Sequence, residues 1–243
     1  MLKEDWFKHW FNTPYYHILY KHRGSKEAQQ FMDALLAHFN ISKNQLILDL
    51  ACGKGRHAIY LNQLGYHVHG ADLAKESIKE ASLHRNEKLI FYVHDMREKL
   101  PYSYHFVLNL FTSFGYFENQ HDNLKVLKSI KNSLLPGGMC IIDFLNLREV
   151  SKNLVKSSHK HIDGIDFHIE KELTDTHIIK HIQFEDSGQH HHFTERVQAL
   201  YPKDFYALAK EAGMNVVATF GNYQLQPFDP EKSDRFIIAL NHE

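Results

Sequence analysis

Three aspartates and two glycines are spaced so that they could hold an adenosine-bearing ligand. Asp49 lies in the apolar run L-I-L-D-L at 46–50, Asp72 directly follows H-V-H-G-A at 67–71, and Asp95 follows L-I-F-Y-V at 89–93. Each run reads as a strand, so the acids stand at or near successive strand ends. Between the first two lies A-C-G-K-G-R-H-A. Gly53 and Gly55 let a ligand approach main-chain N–H groups, and a helix beginning near Arg56 aims its positive end at the same place. Asp72, 17 residues after Gly55, could accept hydrogen bonds from both hydroxyls of a ribose. G-K-G-R-H-A also matches the dinucleotide fingerprint G-x-G-x-x-G/A, so NAD competes on local grounds. Asp49 tips the balance. A carboxylate ahead of the turn suits a ligand with an ammonium group better than a pyrophosphate.

Those residues need a scaffold. Strand-like runs at 46–50, 67–71, 89–93, 105–111 and 139–145 alternate with helical patterns near 56–64, 75–84 and 122–134. Strands separated by helices pair in parallel through right-handed crossovers, and ligands sit beyond their carboxyl ends. Ahead of them, residues 5–11 and a stretch opening at Ser25 have helical spacing, so residues 1–45 are expected to form a helical cap. Residues 46–243 form the ligand-binding domain. Within it, 165–173, 176–185 and 190–200 read as polar-faced strands with a hairpin turn at 185–189, an antiparallel insertion spanning about 150–200. The α/β pattern then resumes with a helix at 203–212 and strands at 214–220 and 234–240.

Bulk composition narrows the function. The 243 residues hold 28 lysines and arginines against 29 acids, a formal charge of -1, which argues against nucleic acid as a partner. No stretch has the length of a membrane span, and the first ten residues lack the apolar core of a targeting signal, so a cytoplasmic protein is expected. Cys52 and Cys140 form no C-x-x-C pair and read as small buried residues. Monomer and homodimer are equally compatible with the sequence.

The combined pattern resembles the class I S-adenosylmethionine-dependent methyltransferases. The resemblance covers roughly residues 14–240 and rests on D-L-A-C-G-K-G, A-D-L, H-D-M, F-V-L-N-L-F-T-S-F-G-Y-F and L-L-P-G-G-M-C-I-I-D-F. It implies a Rossmann-like, doubly wound, seven-stranded mixed sheet, its last strand (234–240) antiparallel, with the antiparallel insertion acting as a substrate lid. It also implies S-adenosyl-L-methionine as cofactor. Asp49 and the turn Ala51, Gly53, Gly55 would hold the methionine end. Asp72 would take the ribose, Leu73 would pack on the adenine, and Asp95 and Met96 would meet the adenine edge, Asp95 accepting from its amino group, with Leu110 and Phe111 lining the floor. Ala51 departs from the family's usual D/E-x-G-x-G-x-G. Tyr16 to Arg23 resembles an N-terminal element of one bacterial branch, in which Tyr20 and Arg23 would bind the methionine carboxylate.

Tyr16, Ser113, Tyr116 and Asn146 are candidate substrate contacts, Ser113, Tyr116 and Asn146 for lying just past strand ends. No general base can be named. The H-H-H at 190–192 is read as a solvated strand face and no metal is expected. The expected reaction is in-line methyl transfer to a small-molecule acceptor, with an NAD-dependent oxidoreductase and a non-catalytic cofactor-binding module as the rivals.

Overall fold

The computed structural model describes residues 6–21 and 25–242, so Arg23 lies outside the described residues. The elements run α1 (Trp6–Trp10), α2 (Pro14–Tyr20), α3 (Ser25–His38), β1 (Leu46–Leu50), α4 (Arg56–Gln63), β2 (His67–Asp72) and α5 (Lys75–Ala81). Then follow β3 (Leu89–Val93), β4 (Tyr104–Asn109), α6 (Gln120–Ser133), β5 (Leu134–Leu145) and α7 (Leu147–Lys152). The insertion supplies β6 (Ser157–Ile162), β7 (Ile165–Leu173), β8 (His177–Asp186) and β9 (Gln189–Gln198). The chain closes with α8 (Pro202–Ala212), β10 (Asn215–Phe220) and β11 (Arg235–Asn241).

Seven strands form one sheet in the order β10-β11-β5-β4-β1-β2-β3. β1 to β5 are parallel, and β11 inserts antiparallel between β5 and β10. Helices cover both faces, which is why the strands are apolar almost throughout. Phe31, Met32 and Leu35 of α3 pack with Ala58 and Leu61 of α4 over Ile47 and Val68. On the opposite face, Leu127 and Ile130 of α6 and Phe205 and Leu208 of α8 cover Val107 and Phe144. The strand order reverses between β1 and β4, and the crevice there opens beyond their carboxyl ends.

The insertion is a four-stranded antiparallel sheet, β6-β7-β8-β9, whose inner face (Phe167, Ile169, Ile182, Phe184) continues the second core. The sequence reading gave it three strands. It missed β6, because Ser157–Ile162 is an exposed edge strand with only Ile162 buried and therefore shows no alternation. Two short helices were also missed. α2 starts at Pro14 and is capped by the Thr13 hydroxyl, which accepts from Tyr16 N–H at 3.2 Å. α7 is only six residues long. Among the described residues no helix is long and apolar enough to cross a membrane.

Candidate cofactor and acceptor site

Two turns frame the crevice. After β1 the chain swings into left-handed backbone at Ala51 (φ 63°), Gly53 (φ 55°) and Gly55 (φ 79°). Gly55 must be glycine: a Cβ there would lie 2.6 Å from a Phe91 ring carbon. Ala51 takes the same backbone region with a methyl group, at a conformational cost of about 1–2 kcal/mol. Its N–H and that of Cys52 both donate to Ala71 O, at 2.7 and 3.0 Å, which ties the turn to β2.

Asp72 sits where β2 ends. Its carboxylate accepts from Gly53 N–H at 2.7 Å and from Ala74 N–H at 2.8 Å. Burial raises its pKa above the usual carboxylate range, and those two bonds pull it back. An ionised carboxylate has about four acceptor directions, so it can still receive a pair of neighbouring hydroxyls. The cradle therefore fits a ribose.

After β4 the backbone is left-handed again, at Phe111 (φ 55°) and Thr112 (φ 61°), with no glycine at either position. A buried ion pair holds it. Asp143 on β5, wholly buried, accepts from Phe111 N–H at 2.8 Å and from Arg235 Nε at 2.8 Å. Its main-chain oxygen accepts from Thr112 N–H at 3.0 Å, and Arg235 Nη2 donates to Thr112 Oγ1 at 2.9 Å. Tyr223 adds a longer bond to Asp143 at 3.3 Å. The Phe111 ring stacks on His57 at 5.0 Å, with the Arg56 guanidinium 4.8 Å from its centre. This network went unread in the sequence. Its only signal is a lone acid in the apolar run M-C-I-I-D-F-L and a lone arginine opening R-F-I-I-A-L.

Between the turns lies a cavity of about 410 Å³. It gathers most of the expected residues: Tyr16, Tyr20, Ala51, Gly53, Asp72, Leu73, Asp95, Met96, Leu110, Phe111, Ser113 and Tyr116. Phe7, Phe11 and Phe117 add an aromatic cover, and His17, Lys54, Arg56 and His57 add polar groups that the sequence did not single out. Asp95 is held on one side by Arg97, whose Nη2 lies 2.7 Å from it, and Arg97 also reaches Asp122. Cys52 lines the wall, but burial, with Asp49 and Asp72 nearby, pushes its thiol well above the ordinary range, so it is no nucleophile.

Three expected residues do not line this cavity. Gly55 caps α4 behind it. Asp49 is 1% exposed; it accepts from Ala58 N–H at 3.2 Å and stands 3.8 Å from His57 Nδ1. It thus fixes the first turn of α4. Asn146 is 3% exposed, its amide donating to Pro230 O and Ser233 O at 3.0 and 2.7 Å while its oxygen accepts from Arg148 N–H. Those bonds occupy it in capping α7 and holding the loop before β11.

A second cavity, about 740 Å³, adjoins the first and shares Phe111 and Tyr116 with it. Its walls come from α7, the inner face of β7 to β9, and the 222–235 loop. Trp10, Tyr20 and Glu195 lock the N-terminal helices to this sheet: Trp10 Nε1 and Tyr20 OH each donate to Glu195 at 2.7 Å. The H-H-H stretch lies on β9. His190 is exposed and pairs with Glu185 at 3.7 Å, whereas His191 turns inward and stacks on Phe184. Among the described residues no three metal-ligating side chains are grouped to hold an ion.

Residues 41–213 match the family model described as "Methyltransferase domain". Over 101 residues the chain is 33% identical to "Putative methyltransferase YqeM" of Bacillus subtilis, covering 40% of this chain and 41% of that protein. Over 213 residues it is 26% identical to "Glycine/sarcosine N-methyltransferase" of Aphanothece halophytica, covering 83% of this chain and 77% of that one. The fold matches a crystal structure of an S-adenosylmethionine-dependent methyltransferase from Clostridium acetobutylicum with a TM-score of 0.78, at 18% identity, over 94% of this chain and 96% of that one.

Proposed function

Because the chain belongs to the class I S-adenosylmethionine-dependent methyltransferase family, we propose that it moves a methyl group from S-adenosylmethionine to a small-molecule acceptor. S-Adenosylmethionine is its cofactor. The observation that carries this reading is the pair of adjoining cavities that meet at Phe111 and Tyr116, the first of them built around the anchored Asp72 carboxylate. When bound, the cofactor supplies an electrophilic sulfonium methyl.

The protein's own residues bind, orient and exclude water. Asp72 accepts from both ribose hydroxyls. Leu73 and Met96 pack against the base, and Asp95, fixed by Arg97, accepts from its amino group. The Ala51–Gly55 turn and Tyr20 face the methionine end, where Arg23 is the proposed carboxylate partner. Asp49 acts through His57 and the start of α4. Phe111 and Tyr116 separate the two cavities and align donor and acceptor, and the aromatic cover keeps the reacting atoms dry. The second cavity, about 740 Å³, has room for a small acceptor, the class of substrate in the name of the relative called glycine/sarcosine N-methyltransferase. Its presence also favours turnover over a purely regulatory role. Two free buried cysteines support a reducing compartment, the cytoplasm.

The test is a methyl-transfer screen. Protein, S-adenosylmethionine and fractionated small-molecule extract are incubated, and S-adenosylhomocysteine is quantified. The proposal expects one fraction to yield product that Asp72→Ala does not make. Equal, background-level product in every fraction, for both proteins, contradicts it.

A further inference from the structure

The second cavity carries a charge pattern that specifies what fills it. On the inner face of the insertion, Lys171 of β7 stands directly opposite Lys180 of β8, which in turn stands opposite Glu195 of β9. All three line the cavity. Like charges facing each other across a half-buried sheet repel, so this row needs compensation. Glu195 lies 3.2 Å from Lys180 Nζ and matches that one charge, while also accepting from Trp10 and Tyr20. The cavity's arginine, Arg235, is matched by Asp143 at 2.8 Å. Lys171 is left over: among the described residues it has no ion-pair partner. Of the acids that also line the cavity, Glu27 and Asp234 are exposed, while Glu149 of α7 is half-buried, accepts from the Asn153 amide and makes no ion pair among the described residues. The neighbouring row, Ile178 and Val197, is apolar and faces Leu145 and Leu154 across the space.

We infer that the methyl acceptor is an amphipathic anion, its carboxylate or phosphate seated on Lys171 beside Lys180 and its apolar body lying along Ile178 and Val197. This rests on the methyltransferase reading and assigns the acceptor's class within it. An anion there completes the charge balance of the row, and each charge-assisted hydrogen bond it gains is among the stronger ones available. The wall at Phe111 and Tyr116, shared by the two cavities, then sets how far the nucleophile stands from the anionic group.

The probes are four molecules that share one ring and differ in the head group: benzoate, phenyl phosphate, benzylamine and benzyl alcohol. They are titrated into the full chain saturated with S-adenosylhomocysteine and followed by ligand-observed NMR. One of the two anions is expected to bind about tenfold or more tightly than the amine and the alcohol. Preference for benzoate assigns a carboxylate; preference for phenyl phosphate assigns a phosphoester. Lys171→Met should abolish the preference, and Lys171→Arg should retain it. The inference is overturned if the amine binds as well as the anions, if no probe binds, or if Lys171→Met changes nothing. Calorimetry of S-adenosylhomocysteine on the same samples separates the two levels. Binding without anion preference removes this inference and leaves the methyltransferase reading standing, whereas no binding removes both.

Discussion

Two turns bend the same way over one cavity and are held by different means. The turn after β1 uses glycine: Gly53 and Gly55 occupy left-handed backbone freely, and only Ala51 does so with a side chain. The turn after β4 puts Phe111 and Thr112 in the same region without any glycine and is held from outside by the Asp143–Arg235 pair. The first carries its conformation in its own residues. The second borrows it from β5 and β11, about thirty and more than a hundred positions later.

The contrast can be broken first at its strongest point. Asp143→Ala leaves Arg235 buried without its counter-charge and Phe111 N–H without an acceptor. It should cost about 3–5 kcal/mol in denaturant unfolding. Asp143→Asn, which keeps an acceptor for Phe111 N–H, should cost less. An Asp143→Ala protein as stable as the parent means that the β4 turn supports itself.

The glycine turn should be less costly to disturb. Gly55→Ala combines a left-handed φ of 79° with a Cβ placed 2.6 Å from Phe91, and a loss of about 1–3 kcal/mol is expected in the same measurement. An unchanged midpoint would show that Phe91 yields without penalty.

On the glycine-turn side the molecule also carries histidines that titrate on acidification. Burial holds His17 down to about 4, assisted by Lys54, and burial likewise holds His69 at about 4. Unfolded histidine titrates near 6.5, so between those values the unfolded chain binds more protons and stability falls as pH falls. Melting temperature should therefore drop from pH 6.5 toward 4, and His69→Gln should flatten that drop. A slope that the substitution leaves unchanged rules His69 out as a contributor.

The smallest expected change has the opposite sign. Ala51→Gly relieves left-handed strain at φ 63°, offset by the greater freedom of glycine when unfolded, for a net gain of about 0.5–1 kcal/mol. A loss of stability would mean that the Ala51 methyl makes packing contacts worth more than the strain.

The same contrast explains what could be read in advance. The parallel sheet, the glycine turn and the placement of Asp72 and Asp95 beside the first cavity were legible because each leaves a local mark: an apolar run, a turn residue, an acid at a strand end. Tyr20 was legible as a residue, yet its bonding to Glu195, 175 positions away, was not. Asp49 was expected at the ligand and does not line the cavity, because its side chain inside β1 points into the α4 packing. Asn146 stands past β5 as expected, but its hydrogen-bond partners lie in the 230–233 loop, far away in the sequence. β6 left no mark because an edge strand in solvent needs no apolar face. The second cavity was illegible altogether, since α7, three strands of the insertion and the 222–235 loop meet only in the folded chain.

The central claim is that the cavity framed by these two turns holds S-adenosylmethionine through Asp72. Calorimetry with S-adenosylmethionine and NAD, side by side, on the parent and on Asp72→Ala, tests it most directly. The account predicts one-to-one binding of S-adenosylmethionine to the parent, weakened about tenfold or more by Asp72→Ala, and no binding of NAD. Binding of NAD alone, or S-adenosylmethionine affinity unchanged by Asp72→Ala, would contradict it.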